Sequence, residues 1–251
     1  MEYLLLITGF IILFFGGNFL IKGSVSLAFH FKLTKLVVGM TVVAFGTSAP
    51  ELFVSVVAAN QGFPEISVGN VVGSNIANIG LILGLTAIIF PIPVTENAVK
   101  KDFTIMLAAT LLFYAFILNG TITGLEGVIF IVLLVIYIFI SVYYSRKKPA
   151  EELVTVKAQF SLPVSIIIIV LSSIALAFGS SLLVNNASVI ARNFGIGERV
   201  ISITLIAVGT SIPELTTSIS AALKKELDIS FGNIIGSNIF NIFGILGITG
   251  I

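Results

Sequence analysis

The chain has 251 residues, 57% hydrophobic and 10% charged, with 13 Lys+Arg against 12 Asp+Glu, one His and no Cys. A soluble domain carries about one quarter charged residues to cover its surface, so these figures exclude a soluble globule and a disordered chain and describe an integral membrane protein. The near-balanced charge offers no basic field for nucleic acid. A single His30 and no Cys exclude thiolate and multi-His metal sites, a disulfide framework and a cysteine nucleophile.

In chain order, stretches able to supply the roughly 20 apolar residues of a span fall at 3–21, 36–59, 66–90, 103–118, 124–144, 162–184, 200–223 and 228–251. Their apolar runs are continuous, which reads as helices and not as the alternating strands of a barrel. No basic residue precedes 3–21 and no A-x-A site follows it, so it is a span and not a cleaved signal peptide. The loop behind it places His30 beside Lys32 and Lys35, a solvated position.

The second span holds Gly46-Thr47-Ser48-Ala49-Pro50-Glu51 near its middle. An ionised carboxylate at a membrane helix centre costs about 2.5–3.5 kcal/mol on insertion scales. Glu51 therefore faces a cavity, carries a proton or has a cation beside it. Pro50 has no N–H and frees the Gly46 carbonyl of its helical partner. The third span carries Gly69-Asn70, Gly73-Ser74-Asn75 and Asn78. Ser74 lies four residues from both Asn70 and Asn78, so each pair shares a helix face. Asn70, near a span end, reads as a cap or a helix tie. Spans four and five lead to a linker, 145–160 (SRKKPAEELVTVKAQF), whose Pro149 and mixed charges suit a hinge between two halves, 1–144 and 161–251.

The seventh and eighth spans repeat the second and third. Residues 38–78 and 201–241 align without a gap at an offset of 163, with 20 of 41 positions identical. The copies include Gly209-Thr210-Ser211-Ile212-Pro213-Glu214 and Gly232-Asn233-x-x-Gly236-Ser237-Asn238-x-x-Asn241. Apolar bias alone does not keep Gly, Pro, Glu and Asn in register, so the chain is a duplication. Five spans in the first half send the second copy into the membrane in the opposite direction, the inverted-topology repeat that secondary transporters use. Counting turns alternately, Lys22, Lys32, Lys35, Lys100, Lys101, Arg146, Lys147, Lys148, Lys157, Lys224 and Lys225 fall on one side, and only Arg192 and Arg199 on the other. That asymmetry puts the first set and the linker in the cytoplasm and the N-terminus outside. The first half runs on through two spans beyond its motifs while the second stops inside one. Ten spans are thus expected, eight of them visible, with a C-terminal truncation removing two helices.

Each Glu motif gathers a carboxylate, two hydroxyls and a loose carbonyl within about one turn, hard oxygen ligands suited to Na+ and Ca2+. These paired motifs resemble the α-repeats of the calcium/cation antiporter superfamily, specifically the prokaryotic Na+/Ca2+ exchangers, across essentially the whole chain. The resemblance implies an all-α polytopic membrane protein with inverted five-helix repeats. It implies Glu51 and Glu214 as Ca2+ ligands, Thr47, Ser48, Thr210 and Ser211 as hydroxyl or carbonyl ligands to Na+, carbonyls from Ala44 and Ala207, and Ser74 and Ser237 as further Na+ ligands. Asn78 and Asn241 complete the set. In the family the Asn241 position is commonly Asp; an amide keeps the oxygen and removes the charge and the titration. Two carboxylates still neutralise one Ca2+, whereas several Na+ would leave excess positive charge.

The resemblance further implies a cell-membrane protein in contact with the bilayer, with no cofactor beyond the transported ions and no enzymatic activity. The expected reaction is Na+/Ca2+ antiport by alternating access, the first helix of each half sliding across the core, normally to expel Ca2+. The superfamily also holds K+-dependent and proton-coupled branches, so Ca2+/H+ or K+-dependent exchange is the alternative. A cation channel would also use mid-membrane carboxylates but would need no counter-ion. No His or Lys lies within the spans to activate Ser48 or Ser211 as a nucleophile, which argues against an enzyme.

Overall fold

The computed structural model describes residues 1–91, 98–147, 158–197 and 209–251, with the backbone alone for 98–100. Helices dominate because an apolar chain surrounded by hydrocarbon satisfies its backbone only within itself. The first, α1 (Glu2–Phe31), has 30 residues and ends where Lys32 turns left-handed at φ 54, its N–H donating to the carbonyls of Ala28 and Phe29. Two shorter helices, α2 (Lys35–Thr47) and α3 (Ala49–Asn60), meet at a 48° bend. They are followed by α4 (Pro64–Ile89), α5 (Thr104–Ile117) and α6 (Gly124–Arg146), the last opened by a capping box between Thr123 and Glu126. The second half contributes α7 (Leu162–Asn193), α8 (Ile212–Leu223) and α9 (Leu227–Gly250).

At 30 and 32 residues, α1 and α7 measure about 45–48 Å against a hydrocarbon core of about 30 Å. They overrun the expected spans 3–21 and 162–184 because polar residues do not stop a helix; a backbone reversal does. In α7 that reversal comes at Gly195 (φ 78), where the Ile196 N–H returns to the Ala191 carbonyl at 3.1 Å. The two helices pack on each other through small residues: a Cβ on Gly9 would lie 3.0 Å from the Gly179 carbonyl oxygen. The contact is reciprocal, since Gly16 meets Leu176 and Gly179 meets Leu13, pairs related by the repeat offset.

A second layer centres on α9. Its Phe231, Ile235, Ile239 and Phe243 pack with Met106 and Phe113 of α5 and with Phe130 and Tyr137 of α6. Against α2 the approach is backbone to backbone, and a Cβ on Gly232 would stand 2.6 Å from the Leu36 carbonyl oxygen. α4 and α9 each widen into a π-helical stretch, Ala77–Leu83 and Asn241–Leu246. No α-helical pattern forecast these widenings; they fall where Asn78 and Asn241 stand, and such stretches favour functional sites.

Among the described residues five helices are long and apolar enough to cross a membrane, six if the bent α2–α3 pair is one span. The expected span 103–118 is realised as the 14-residue α5 behind a π-helical turn, Ala98–Phe103. The expected span 200–223 falls outside the described residues as far as 208, and so do 148–157 of the linker.

Candidate ion-binding site

Both Glu motifs fold the same way. α2 stops at Thr47, Ser48 takes φ −84 and ψ 7, and α3 restarts with Pro50 and Glu51 in its first turn. In the second copy Ser211 takes φ −86 and ψ 5, and α8 starts with Pro213 and Glu214. The cause is proline, which suits a helix start and cannot donate to the carbonyl four residues back. Each Glu thus sits at the positive N-terminus of a helix that begins inside the protein. Glu51 is 0% exposed and Glu214 1%.

The two halves cross-link at this point. The Ser48 hydroxyl donates to Glu214 Oε1 at 2.9 Å. Thr47 donates to Asn233 Oδ1 at 3.0 Å and lies 3.5 Å from Ser237; the equivalent pair Thr210 and Ser74 is 3.4 Å apart. Glu51 lies beside Ser74, Thr210 and Glu214. The Ala44 carbonyl belongs to the same set, receiving the Ser48 N–H at 3.0 Å and the Thr47 hydroxyl at 3.2 Å. Ala207 lies outside the described residues.

A scaffold of amides holds this constellation. Asn70 donates to the Glu51 carbonyl at 3.1 Å and to Ser55 at 2.9 Å, and Asn233 does the same to Glu214 (3.4 Å) and Ser218 (3.1 Å). Both are therefore helix ties, the second of the two roles expected for Asn70. Asn78 donates to Asn238 Oδ1 at 3.2 Å, and Asn241 donates to Asn75 Oδ1 at 3.0 Å. With their N–H groups spent outward, Asn78 and Asn241 keep their oxygens free. The sequence reading left Asn75, Asn238, Ser55 and Ser218 out of the site; their matching places in the two repeats were the available signal. It also missed Ser180 of α7, whose hydroxyl bonds the Gly209 carbonyl at 2.5 Å, the oxygen that Pro213 leaves free.

What results is a surplus of oxygen. Both carboxylate oxygens of Glu51, one of Glu214, the Ser211 hydroxyl and the side-chain oxygens of Asn78 and Asn241 are buried with no hydrogen-bond partner among the described residues. Native interiors leave few such groups, and a carboxylate buried without a partner is among the costliest. A desolvated hard cation would supply what these atoms lack. Nitrogen and sulfur ligands are missing from the set, which disfavours softer transition metals. Among the described residues no group of three or more His, Cys, Asp or Glu could hold a metal ion, and the groups beside the two carboxylates are hydroxyls and amides. His30 stays apart, exposed, with Nε2 2.9 Å from the Phe160 carbonyl.

Comparison with known proteins agrees with this geometry. The family described as sodium/calcium exchanger protein matches residues 1–143 and 164–251. CaxA of Alkalimonas amylolytica, which carries an antiporter's name, is 38% identical over 242 residues, covering 94% of this chain and 76% of that protein. The sodium/calcium exchanger MaX1 of Methanosarcina acetivorans is 34% identical over 289 residues, with 100% and 83% covered. Among solved structures, the sodium-calcium exchanger NCX_Mj soaked with zero Na+ and Ca2+ superposes with a TM-score of 0.86 at 34% identity, over 99% of this chain and 81% of that one.

Proposed function

This chain belongs to the sodium/calcium exchanger family, and on that footing we propose that it is a secondary antiporter exchanging Na+ for Ca2+ at the site built around Glu51 and Glu214. The observation that carries the reading is the set of partnerless buried oxygens that both halves contribute, those of the two carboxylates among them. One Ca2+ balances those two charges, with Asn78 and Asn241 as neutral oxygen ligands. Na+ takes overlapping oxygens from Thr47, Ser48, Ser74, Thr210, Ser211, Ser237 and the carbonyls of Ala44 and Ala207. Each ion set displaces the other, so exchange and not net leak follows.

Loading neutralises the polar core and lowers the cost of closing it off from water, whereas the empty, doubly charged core resists closure. α1 and α7 then slide across the core to switch access between the two faces. Glycine at their crossing gives a smooth surface for that motion. The halves are inverted in the membrane, with the N-terminus outside and the Lys-rich side cytoplasmic, as the basic residues favour. An inward Na+ gradient drives Ca2+ out.

The test is uptake of radiolabelled Ca2+ into Na+-loaded proteoliposomes, with Na+, K+ or choline outside. Uptake only under an outward Na+ gradient is expected. Uptake indifferent to Na+ overturns the assignment of Na+ as counter-ion, and a superimposed pH gradient then separates proton coupling from a channel.

A further inference from the structure

Helical threonines in this protein ordinarily satisfy their own hydroxyls. Thr8, Thr41, Thr110 and Thr249 each donate to the carbonyl four residues back, at 2.7 to 2.9 Å. Two do not. Thr86 on α4 and Thr217 on α8 are 0% exposed, and the hydroxyl of each has no partner among the described residues. An unpaired buried hydroxyl costs about 1–3 kcal/mol, and a free bond to the helix's own backbone is the ordinary remedy. Neither threonine takes it.

Their placement is not scattered. Ser74 meets Thr210 at the centre of the molecule. From there α8 packs along α4, against both its π stretch Ala77–Leu83 and the following Gly84–Ile89. Thr217 lies three residues beyond Glu214 and therefore on a neighbouring face of the same helix. Thr86 lies farther along α4 beyond Asn78, in the same direction. Both steps lead away from the carboxylates toward the Leu223 end of α8. The repeat-related positions offer no such row: the counterpart of Thr217 is Val54, 41% exposed, and the counterpart of Thr86 is Thr249, which bonds the Ile245 carbonyl.

We propose that Thr217 and Thr86 are successive oxygen stations on the route by which the cation reaches and leaves the central site from the Leu223 side of α8. As an ion leaves Glu214, the Thr217 hydroxyl replaces one of the oxygens it gives up, and Thr86 does so one step later. The route from the opposite face has no equivalent, so the two faces of this near-symmetric protein differ in ion affinity. The inference rests on the exchanger reading above.

The experiment is Na+-driven transport of radiolabelled Ca2+ in inside-out and right-side-out membrane vesicles, with Thr217→Val, Thr86→Val and the matching Ser variants. Val keeps the shape and removes the hydroxyl; Ser restores it. Thr217→Val is expected to raise the KM for Ca2+ about threefold to tenfold from the face at the Leu223 end, the worth of one net hydrogen bond. From the other face the KM is expected to stay at the wild-type value, and Ser is expected to recover most of the loss. Thr86→Val is expected to act in the same sense and less. Unchanged KM at both faces, equal effects at both faces, or Ser variants as impaired as Val each overturn the stations. A wild-type protein with no gradient-driven exchange overturns the exchanger reading itself, and the stations with it, before any variant is compared.

Discussion

α4 and α9 carry the same motif and lead different lives. Within the most apolar 18 residues of each helix, 94% are buried in α9 and 22% in α4. The inward faces are alike, with Ser74, Asn78, Ser237 and Asn241 all fully buried or within 1% of it. The outward faces account for the difference. α9 is wrapped by α2, α5 and α6, while Ile76 on α4 stands 67% exposed. The glycines follow suit: Gly232 is pinned against the α2 backbone, whereas Gly69 meets nothing within 4 Å among the described residues. Within these 251 residues the two copies of the motif share their inner faces and differ in their outer ones. Polar chemistry demands strict equivalence, because each carboxylate needs the same hydroxyl and amide neighbours; the apolar outer faces are under no such demand.

The sharpest test of that equivalence removes one charge at a time. Glu51→Gln and Glu214→Gln are each expected to abolish Ca2+ transport, a loss of at least about 100-fold given the weight of one carboxylate on a desolvated divalent ion. Wild-type-like flux in either variant breaks the symmetric assignment. Next, Gly232→Leu forces a side chain into the α2 backbone and is expected to destabilise the fold by about 3 kcal/mol or more, where Gly69→Leu costs under about 1 kcal/mol. Thermal unfolding in detergent reads the pair, and equal losses would mean that both helices are confined alike.

A smaller effect probes the amide scaffold. Asn75→Leu and Asn238→Leu each strand the N–H group of an Asn across the site, at about 1–2 kcal/mol. Each is expected to raise the KM for Ca2+ about tenfold, to equal degree in the two variants; unequal effects would show that the halves hold the ion differently. The smallest effect concerns Lys224, at the end of α8, which donates to the Asn18 carbonyl of α1 at 2.8 Å. Its counterpart in the first half is Gln61. Burial, helped by the nearby charge of Lys22, pushes its pKa down to about 8. Between about pH 8 and its ordinary value of 10.5 the unfolded chain binds the proton that the folded one has released, so this group makes stability rise with pH across that window. Lys224→Met is expected to flatten that rise in a melting series, while Gln61→Met leaves it intact.

Much of the fold and most of the site were legible before any coordinates. The side chains of Thr47, Ser48, Glu51, Ser74, Thr210, Glu214 and Ser237 lie together between the two halves, and the signal was chemical: Glu, Asn and Pro at matching depths of two apolar segments have few explanations in a bilayer. The ties of Asn70 and Asn233 and the helix breaks at Pro50 and Pro213 could also be anticipated, because a missing N–H acts locally. The roles of Asn75 and Asn238 were not legible, since an amide on a membrane helix serves packing as readily as positioning until its partner is known. Thr86 and Thr217 looked like ordinary helical threonines, and only full burial without a partner sets them apart.

The sequence by itself determined that this is a helical membrane protein, duplicated, with paired carboxylates in its interior, because composition, periodicity and the cost of burying charge are properties of short segments. The tertiary structure alone decided that serine and threonine of one half meet glutamate and serine of the other, and that the amides of Asn78 and Asn241 turn their oxygens free. Those outcomes depend on which helices become neighbours. Residues 163 positions apart in the chain carry no local trace of being in contact, and their pairing exists only once the helices have packed.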